Sequence, residues 1–293
     1  MMMLTRIDHV MICVSDLQQG MDAYTRLGFH IVPGGVHPGQ GTHNAIAFHA
    51  EDYLELMSVR DREEYRTSHP SGGLLTFLAQ GGGLRYIALQ SNDLPADVAQ
   101  MRQRGVEVSE PMPGSRETPS GQVLRWQSAT LGSRNPLPVF FIEHLTPLYA
   151  RRGQPWPAAL PPNGALRIDR VYITVAAVAP EAEMYSRVLG LPVPQIRRGT
   201  VINADMAVFD LGPTGLTIAQ PAAPGPAAEA LAQRGPGPFQ VLYRTQSMDA
   251  AARWMVDHGV PPPARGVRNT GEQAILVHPD HACGVYIGFV GPA

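Results

Sequence analysis

The hydrophobic pattern of the chain begins with a buried strand that leads into a capped helix. Ile7–Val14 is mainly apolar, and Asp16, just after it, is a residue type that caps helices. Side chains alternate between the two faces of a strand, so His9, Met11 and Cys13 share one face. The opposite face is apolar as well, which is typical of a strand covered on both sides. We therefore expect one imidazole to project onto a covered face of a sheet.

The same pattern of one strand and one helix occurs four times along the chain. The copies are Ile7–Val14 with a helix over Leu17–Leu27, Leu84–Gln90 with a helix capped by Asp93, Ile168–Val175 with a helix from about Pro180, and Phe239–Arg244 with a helix over Met248–His258. About three short apolar runs follow each helix, and the period is roughly 70–85 residues. A curved four-stranded sheet with a helix on its outer face cannot close alone, so two units should pair around a cavity. The pattern predicts an α+β fold of four βαβββ modules, paired into two tandem domains.

The domain boundaries follow from a change in composition near the middle of the chain. Residues 151–164 are rich in proline and show no periodicity, which predicts a semi-rigid linker. The first domain then covers residues 1–150, with modules one and two and the candidate active site. The second domain covers residues 165–293, with modules three and four. A loose stretch within it predicts a short helix at Ala227–Gln233.

Composition and charge exclude several kinds of partner. The chain has 293 residues, 44% of them hydrophobic, and a formal net charge of −2. Lys and Arg are neither in excess nor in runs, so we expect no nucleic-acid partner. No apolar window is long enough for a membrane span, and the N-terminal residues do not resemble a signal peptide. The two cysteines, Cys13 and Cys283, lie in apolar contexts and predict free thiols in a reducing cytoplasm.

Several short segments carry a resemblance to a known superfamily. In the first half they are Leu4–Val10, His37–Asn44, Tyr53–Leu56 and Leu137–Glu143, and in the second half they are Ile168–Val175, Tyr185–Leu191 and His278–Asp280. Together with the four modules, they resemble the vicinal oxygen chelate superfamily, which includes glyoxalase I, extradiol dioxygenases and bleomycin- and fosfomycin-resistance proteins. The first half is similar to the glyoxalase-like domain group of that superfamily.

The resemblance implies a metal site at corresponding positions of the modules. Members with metal activity place ligands on the first and last strands of each module, and these positions are His9 and Glu55 in module one and Tyr86 and Glu143 in module two. His9, Glu55 and Glu143 would bind a divalent Fe, Mn, Ni or Zn ion. Glu55 and Glu143 are the candidate catalytic carboxylates that would move a proton. Tyr86 departs from the pattern, because many members have a second His or another ligand there.

Further residues are candidates for substrate contacts. Tyr86 can orient a substrate oxygen, and Tyr86 and Tyr53 can stack on a bound ligand. His43 and Asn44 follow a Gly-rich segment that can lie over the mouth of a barrel. We therefore expect Tyr86, Tyr53, His43 and Asn44 on the substrate side of the cavity.

The corresponding positions of the second half have a different chemistry. They carry Arg170, Thr217, Gln240 and Gly288. Without a carboxylate or an imidazole among them, we expect no metal in this half. Arg170 facing a cavity would bind an anion or pair with an acidic neighbour. The second domain is therefore interpreted as a degenerate copy that stabilises the first or forms an interface.

Two functions fit these features, and a third possibility is that both domains have lost activity and serve assembly. The first is a divalent-metal-dependent enzyme, of the lyase, isomerase or ring-cleaving dioxygenase type, that acts on a small oxygenated substrate in the cavity of the first domain. The second is a metal-free protein that binds a small molecule, as drug-resistance members of the superfamily do. In both cases the partner is a small molecule, and the resemblance makes a homodimer possible.

Overall fold

The computed structural model describes residues 4–118, 120–151 and 160–292. Its strands are β1 (Leu4–Cys13), β2 (Val32–His37), β3 (Thr42–Phe48), β4 (Tyr53–Val59), β5 (Gly83–Ser91), β6 (Met112–Glu117), β7 (Val123–Thr130), β8 (Val139–His144), β9 (Ala165–Thr174), β10 (Arg197–Gly199), β11 (Ala204–Leu211), β12 (Thr214–Pro221), β13 (Gly237–Thr245), β14 (Ala264–Val267), β15 (Gln273–Val277) and β16 (Tyr286–Val290). Its helices are α1 (Leu17–Arg26), α2 (Arg62–Ser68), α3 (Gly73–Ala79), α4 (Leu94–Gln103), α5 (Leu148–Arg151), α6 (Val178–Leu189), α7 (Pro226–Arg234) and α8 (Met248–Asp257). The predicted linker falls mostly on residues 152–159, which lie outside the described residues.

The four predicted βαβββ modules are confirmed. In each module the first strand runs parallel to the last: β1 to β4, β5 to β8, β9 to β12 and β13 to β16. The first strands of paired modules lie side by side and antiparallel, β1 against β5 and β9 against β13. The predicted α+β fold with two tandem domains is therefore correct.

The first half closes into a barrel, whereas the second half is an open sheet. The barrel has the strand order β1-β4-β3-β2-β6-β7-β8-β5, and its edges join where Val36 of β2 pairs with Glu117 of β6. The second sheet has the order β10-β11-β12-β9-β13-β16-β15-β14. Closure matters because it surrounds the inward-facing side chains of the first half with strands on all sides.

Local sequence signals mark the helix ends as predicted. The side chain of Asp16 accepts a hydrogen bond from the backbone N–H of Gln19 at the start of α1, and Asp93 accepts one from Ala96 at the start of α4. Gly190, at the end of α6, has a φ of +66°, which suits glycine. The short helix predicted at Ala227–Gln233 is present as α7.

Two helices that the module pattern did not predict lie between the first two modules. Helices α2 and α3 pack Tyr65 and Leu74 against the buried Cys13 of β1. The hydroxyl of Tyr65 accepts a hydrogen bond from the backbone N–H of Leu74 at 3.0 Å, which ties the two helices together. This insertion contributes Tyr65 and Leu74 to the wall of the space inside the barrel.

One continuous hydrophobic core joins the two halves of the chain. The hydroxyl of Tyr24 donates to the carbonyl of Ala282 at 3.2 Å, and the ring of Phe29 lies 5.0 Å from that of Tyr243. These four residues come from opposite halves and are buried. The halves therefore stabilise each other by shared apolar burial, in addition to their covalent connection.

Candidate functional site

The barrel of the first half encloses a cavity of about 660 Å³. Strand β1 contributes His9, Met11 and Cys13 to its lining, so the predicted inward face of this strand is confirmed. Tyr65 and Leu74 of the inserted helices line the same space. The volume lies in the range of small-molecule sites.

The ring of His9 is held by two aromatic rings and at one nitrogen. It stacks on the ring of Tyr53 with centroids 4.3 Å apart, and its Nδ1 lies 2.7 Å from Oδ1 of Asp8. Phe140 contacts the ring edge-on at 5.6 Å. Because a carboxylate only accepts hydrogen bonds, Nδ1 of His9 donates to Asp8, and Nε2 is the ring nitrogen that faces Glu55 in the cavity.

Asp8 is a fully buried carboxylate that holds two imidazoles. Besides His9, it contacts Nε2 of His144, which lies 3.0 Å from Oδ1 and 3.1 Å from Oδ2. Burial alone would raise the pKa of Asp8, but the charges and hydrogen bonds of His144 and His9 outweigh it and hold this pKa well below its usual range. Asp8 is therefore ionised and orients both rings.

Glu55 faces His9 from the neighbouring strand. Its Oε2 lies 3.5 Å from Nε2 of His9, and its Oε1 accepts a hydrogen bond from the side-chain amide of Asn44 at 2.5 Å. All three side chains are buried and line the cavity. The structure thus brings together three predicted site residues, His9, Glu55 and Asn44, in a line that continues to Asp8.

Glu143 does not join this group, and its predicted role as a third ligand does not fit the structure. On β8 the alternate residues Phe140, Ile142 and His144 line the cavity, so Glu143 points to the outer face. There its Oε2 accepts hydrogen bonds from the backbone N–H of Leu94 and from Gln127, both at 2.8 Å. The error is one residue of register, which moves a strand side chain to the opposite face.

Of the four predicted substrate contacts, three line the cavity and one does not. Tyr53 lines the cavity against His9, and burial raises its pKa well above the usual value, so the phenol stays neutral. Tyr86 lies at the cavity wall with 37% of its surface exposed, edge-on to Phe140 at 6.4 Å. Asn44 lines the cavity, but its neighbour His43 alternates to the other face of β3 and is not among the lining residues.

Sequence reasoning missed two arginines of the cavity. Arg116 of β6 and Arg151 of α5 both line it, each with 8% of its surface exposed. Arg116 donates to the carbonyl of Gly34, and Nη1 of Arg151 lies 2.9 Å from Nε2 of His144. Neither position carries a local signal: Arg116 lies in a polar, Gly-rich stretch, and Arg151 was assigned to the linker.

The residues present do not fit the divalent metal that the resemblance implies. Nδ1 of His9 is taken by Asp8, and Glu143 faces outward, so of the predicted ligands His9 Nε2 and Glu55 face the cavity. First-row metals in proteins ordinarily take three or more protein ligands. Within residues 4–118, 120–151 and 160–292, no group of three His, Cys, Asp or Glu side chains is placed to hold a metal ion.

The second half has its inner face filled. Helix α7 packs Ala227 and Ala230 against Tyr172 and Tyr286, and the hydroxyl of Tyr286 donates to Glu229 of the same helix. Tyr172 occupies the module position that Met11 holds in the first cavity. The inner face of this sheet is therefore occupied by the protein's own helix.

Arg170 is not an anion site. Its Nη2 donates to Oδ1 of Asp210 at 2.8 Å, which is the acidic neighbour that the sequence left open as the alternative. Thr217 and Gln240, at the other corresponding positions, are buried. The anion-binding role predicted for Arg170 is thus corrected to an ion pair within the sheet.

Comparison with known proteins agrees with the fold and the modules. A family model described as "Glyoxalase-like domain" matches residues 7–189, and one described as "Glyoxalase/Bleomycin resistance protein/Dioxygenase superfamily" matches residues 169–276. The chain therefore belongs to the glyoxalase-like domain family of the vicinal oxygen chelate superfamily. A search of curated proteins found no match.

Solved structures share the fold over the whole chain at low identity. A triple mutant of 4-hydroxymandelate synthase from Streptomyces coelicolor is 16% identical with a TM-score of 0.70, over 100% of this chain and 94% of that one. A hypothetical protein from Staphylococcus aureus is 15% identical with a TM-score of 0.68, over 99% of this chain and 100% of that one. At these identities the likeness concerns the fold. In the described part of the chain, no helix has both the length and the hydrophobicity to cross a lipid bilayer.

Proposed function

We propose that this protein is an enzyme that moves a proton on a small oxygenated substrate, at a carbon next to a carbonyl group, in the cavity of the first half. The observation that carries the proposal is the line Asp8–His9–Glu55. Asp8 holds Nδ1 of His9 at 2.7 Å, and Nε2 of the same ring lies 3.5 Å from Glu55. An imidazole fixed by a buried carboxylate is a recurring general base.

The chemistry follows from the position of the protons. In the proposed step Nε2 of His9 takes the hydrogen of the substrate C–H bond, and Glu55, whose Oε2 lies 3.5 Å from that nitrogen, is the proton donor. The bonding electrons move toward the carbonyl, and Glu55 protonates the carbonyl oxygen. The product is an enol, and return of a proton to carbon completes an isomerisation.

The metal-dependent form of the function would need a third ligand, which the outward-facing Glu143 does not supply. The cytoplasmic location and the homodimer stay predictions from the sequence.

Exchange of carbon-bound hydrogen for deuterium tests the proposal directly. The protein is incubated in D₂O with hydroxyacetone, phenylacetone or pyruvate, and the loss of the α-hydrogen signal is followed by proton NMR. We expect catalysed exchange with at least one of them and a loss of about 100-fold or more in H9N. The matched control is H30N, because His30 is exposed and lies outside the cavity. Equal exchange by wild type and H9N, or none above the buffer rate, would contradict the proposal.

A metal-free binding protein is the second candidate. The aromatic rings of Tyr53, Phe140 and Trp126 on the cavity wall favour it, because such surfaces bind organic ligands without chemistry. The enzyme would turn over its ligand, whereas the binding protein would leave it unchanged. A ligand that binds in the cavity and shows no exchange in wild type supports the binding protein.

A further inference from the structure

Two buried guanidinium groups in the cavity lack an acidic partner. Arg116 and Arg151 are each 8% exposed, and no Asp or Glu oxygen of the described residues lies within the 4.0 Å of a salt bridge from either. The residues outside the described ranges include no Asp or Glu. Arg116 donates to the carbonyl of Gly34, and Nη1 of Arg151 lies against Nε2 of His144, whose proton goes to Asp8. The carboxylates of Glu55 and Asp8 act on the two arginines only from beyond salt-bridge distance. Nε of Arg151 is buried with no hydrogen-bond partner in the described structure.

Two buried guanidinium groups without a bound anion destabilise the folded protein. A buried charge costs several kcal/mol unless it is paired, and buried arginines in proteins are ordinarily paired with carboxylate or phosphate. Burial lowers the pKa of Arg116, whereas the carboxylate of Glu55 raises it. Arg116 and Arg151 line the same cavity, so one anionic ligand in that cavity can meet both groups.

The balance of charge on the cavity wall is positive. Arg85 lines the wall as well, where it donates to the carbonyl of Gly73 and lies over the ring of Phe77. Glu55 is the acidic residue among the lining side chains, and Asp8 is already bonded to two imidazoles. An anionic ligand meets more positive than negative charge here.

The remaining wall selects an organic anion. Leu124 and Trp126 line the cavity from β7, which pairs with the strand of Arg116, and Phe140 and Ile142 line it from β8. Apolar and aromatic surface of this kind favours a ligand with a hydrocarbon or aromatic body over a bare inorganic ion. A guanidinium matches the two oxygens of a carboxylate with a fork of two N–H groups.

We propose that the cavity takes an organic acid, whose carboxylate lies between Arg116 and Arg151 and whose apolar body packs on Phe140 and Trp126. The inference deepens the proposed function by naming the substrate class of the same site. It places the charged end of the substrate at the arginines and its reacting carbon toward His9 and Glu55. It adds no chemical step to the one proposed above.

Calorimetry with a matched pair of ligands tests the inference without turnover. Phenylacetate and phenylacetamide have nearly the same size and differ in charge. Acetate and inorganic phosphate are anions without the aromatic body, so they show how much of the affinity comes from charge alone. We expect phenylacetate to bind more tightly than each of the other three, by about tenfold over the amide. R116M and R151M should each weaken phenylacetate about tenfold and leave phenylacetamide within about twofold. R125M is the control, because Arg125 is exposed on the outer side of β7.

The outcomes separate this inference from the proposed function. R116K and R151K, which keep the charge, serve if a methionine variant fails to fold, as judged by its circular dichroism; they should bind phenylacetate with intermediate affinity. Equal binding of acid and amide, unchanged binding in the arginine variants, or no binding of any of these anions up to about 10 mM overturns the inference. Tighter binding of phosphate than of phenylacetate would contradict the proposal that the ligand has an organic body. H9N should bind phenylacetate like wild type, so loss of exchange with retained binding bears on the proton transfer alone.

Discussion

Oδ1 of Asp8 lies 2.7 Å from Nδ1 of His9, although the two residues are neighbours on one strand. In a regular strand, consecutive side chains point to opposite faces and do not meet. Here the pairing of β1 with β5 shifts register between Ile7 and His9, and such an irregularity re-aims a side chain. The bulge therefore creates the contact that fixes the imidazole.

Replacing Asp8 by Asn tests whether this contact serves catalysis. The D8N side chain keeps the size of the original but no longer fixes the proton on Nδ1 of His9. We expect the turnover number for deuterium exchange to fall by about 100-fold or more, with KM changed by only a few-fold. The control is D257N on the exposed end of α8. A D8N variant with wild-type turnover would show that the contact is only structural.

Acid should destabilise the protein through the same carboxylate. Asp8 has a folded pKa below its ordinary value of 3.8, so its ionised form stabilises the fold above that pH. This contribution is lost as the pH falls below about 3.8 toward the folded pKa. Urea unfolding from about pH 6 to pH 3 should therefore show a decrease in stability that is smaller in D8N, by up to about 1.4 kcal/mol per pH unit. Parallel pH profiles of the two proteins would contradict the assignment.

The two carboxylates Glu55 and Glu143 should separate activity from stability. Glu55 faces His9, so E55Q should lose about 100-fold in exchange rate and unfold at nearly the wild-type denaturant concentration. Glu143 accepts from the first N–H of α4, so E143Q should lose about 0.5–1 kcal/mol of stability and keep its activity within about twofold. Exchange assays and urea titrations of both variants provide the comparison. Loss of activity in E143Q would show that Glu143 takes part in the reaction after all.

We expect the activity of the protein not to depend on bound metal. Two of the three predicted ligands, His9 and Glu55, face the cavity. We therefore expect protein purified without an affinity tag to contain well under one equivalent of Fe, Mn, Ni or Zn per chain, and exchange to be insensitive to a chelator. Elemental analysis and an assay before and after dialysis measure this. One equivalent of metal that disappears in H9A would reverse the conclusion about the donor set.

The shared core predicts that the two halves unfold together. Phe29 of the first half packs on Tyr243 of the second, so F29A should cost about 3–5 kcal/mol and lower the stability of both. Unfolding followed by tryptophan fluorescence and by circular dichroism should give one coincident transition. V267A, at an exposed position, is the control. Two separate transitions, with F29A moving only one, would contradict a common core.

The sequence by itself determined the modules, and it determined the inward face of β1. Hydrophobic periodicity and capping residues such as Asp16 are local, so they predict strands and helices wherever packing agrees with them. The identity of His9, Glu55 and Asn44 as cavity residues also followed, since module positions and strand alternation place them.

Only the tertiary structure decided how the site is completed. The register of β8 sends Glu143 outward and His144 inward, and one residue of shift reverses both. The bulge at Asp8 depends on pairing with β5, and Arg116 and Arg151 reach the cavity from segments with no local signal. Helix α7 was predicted from the sequence, but its packing on the inner face of the second sheet was not. These features arise from contacts between residues far apart in the chain, which periodicity within a segment does not encode.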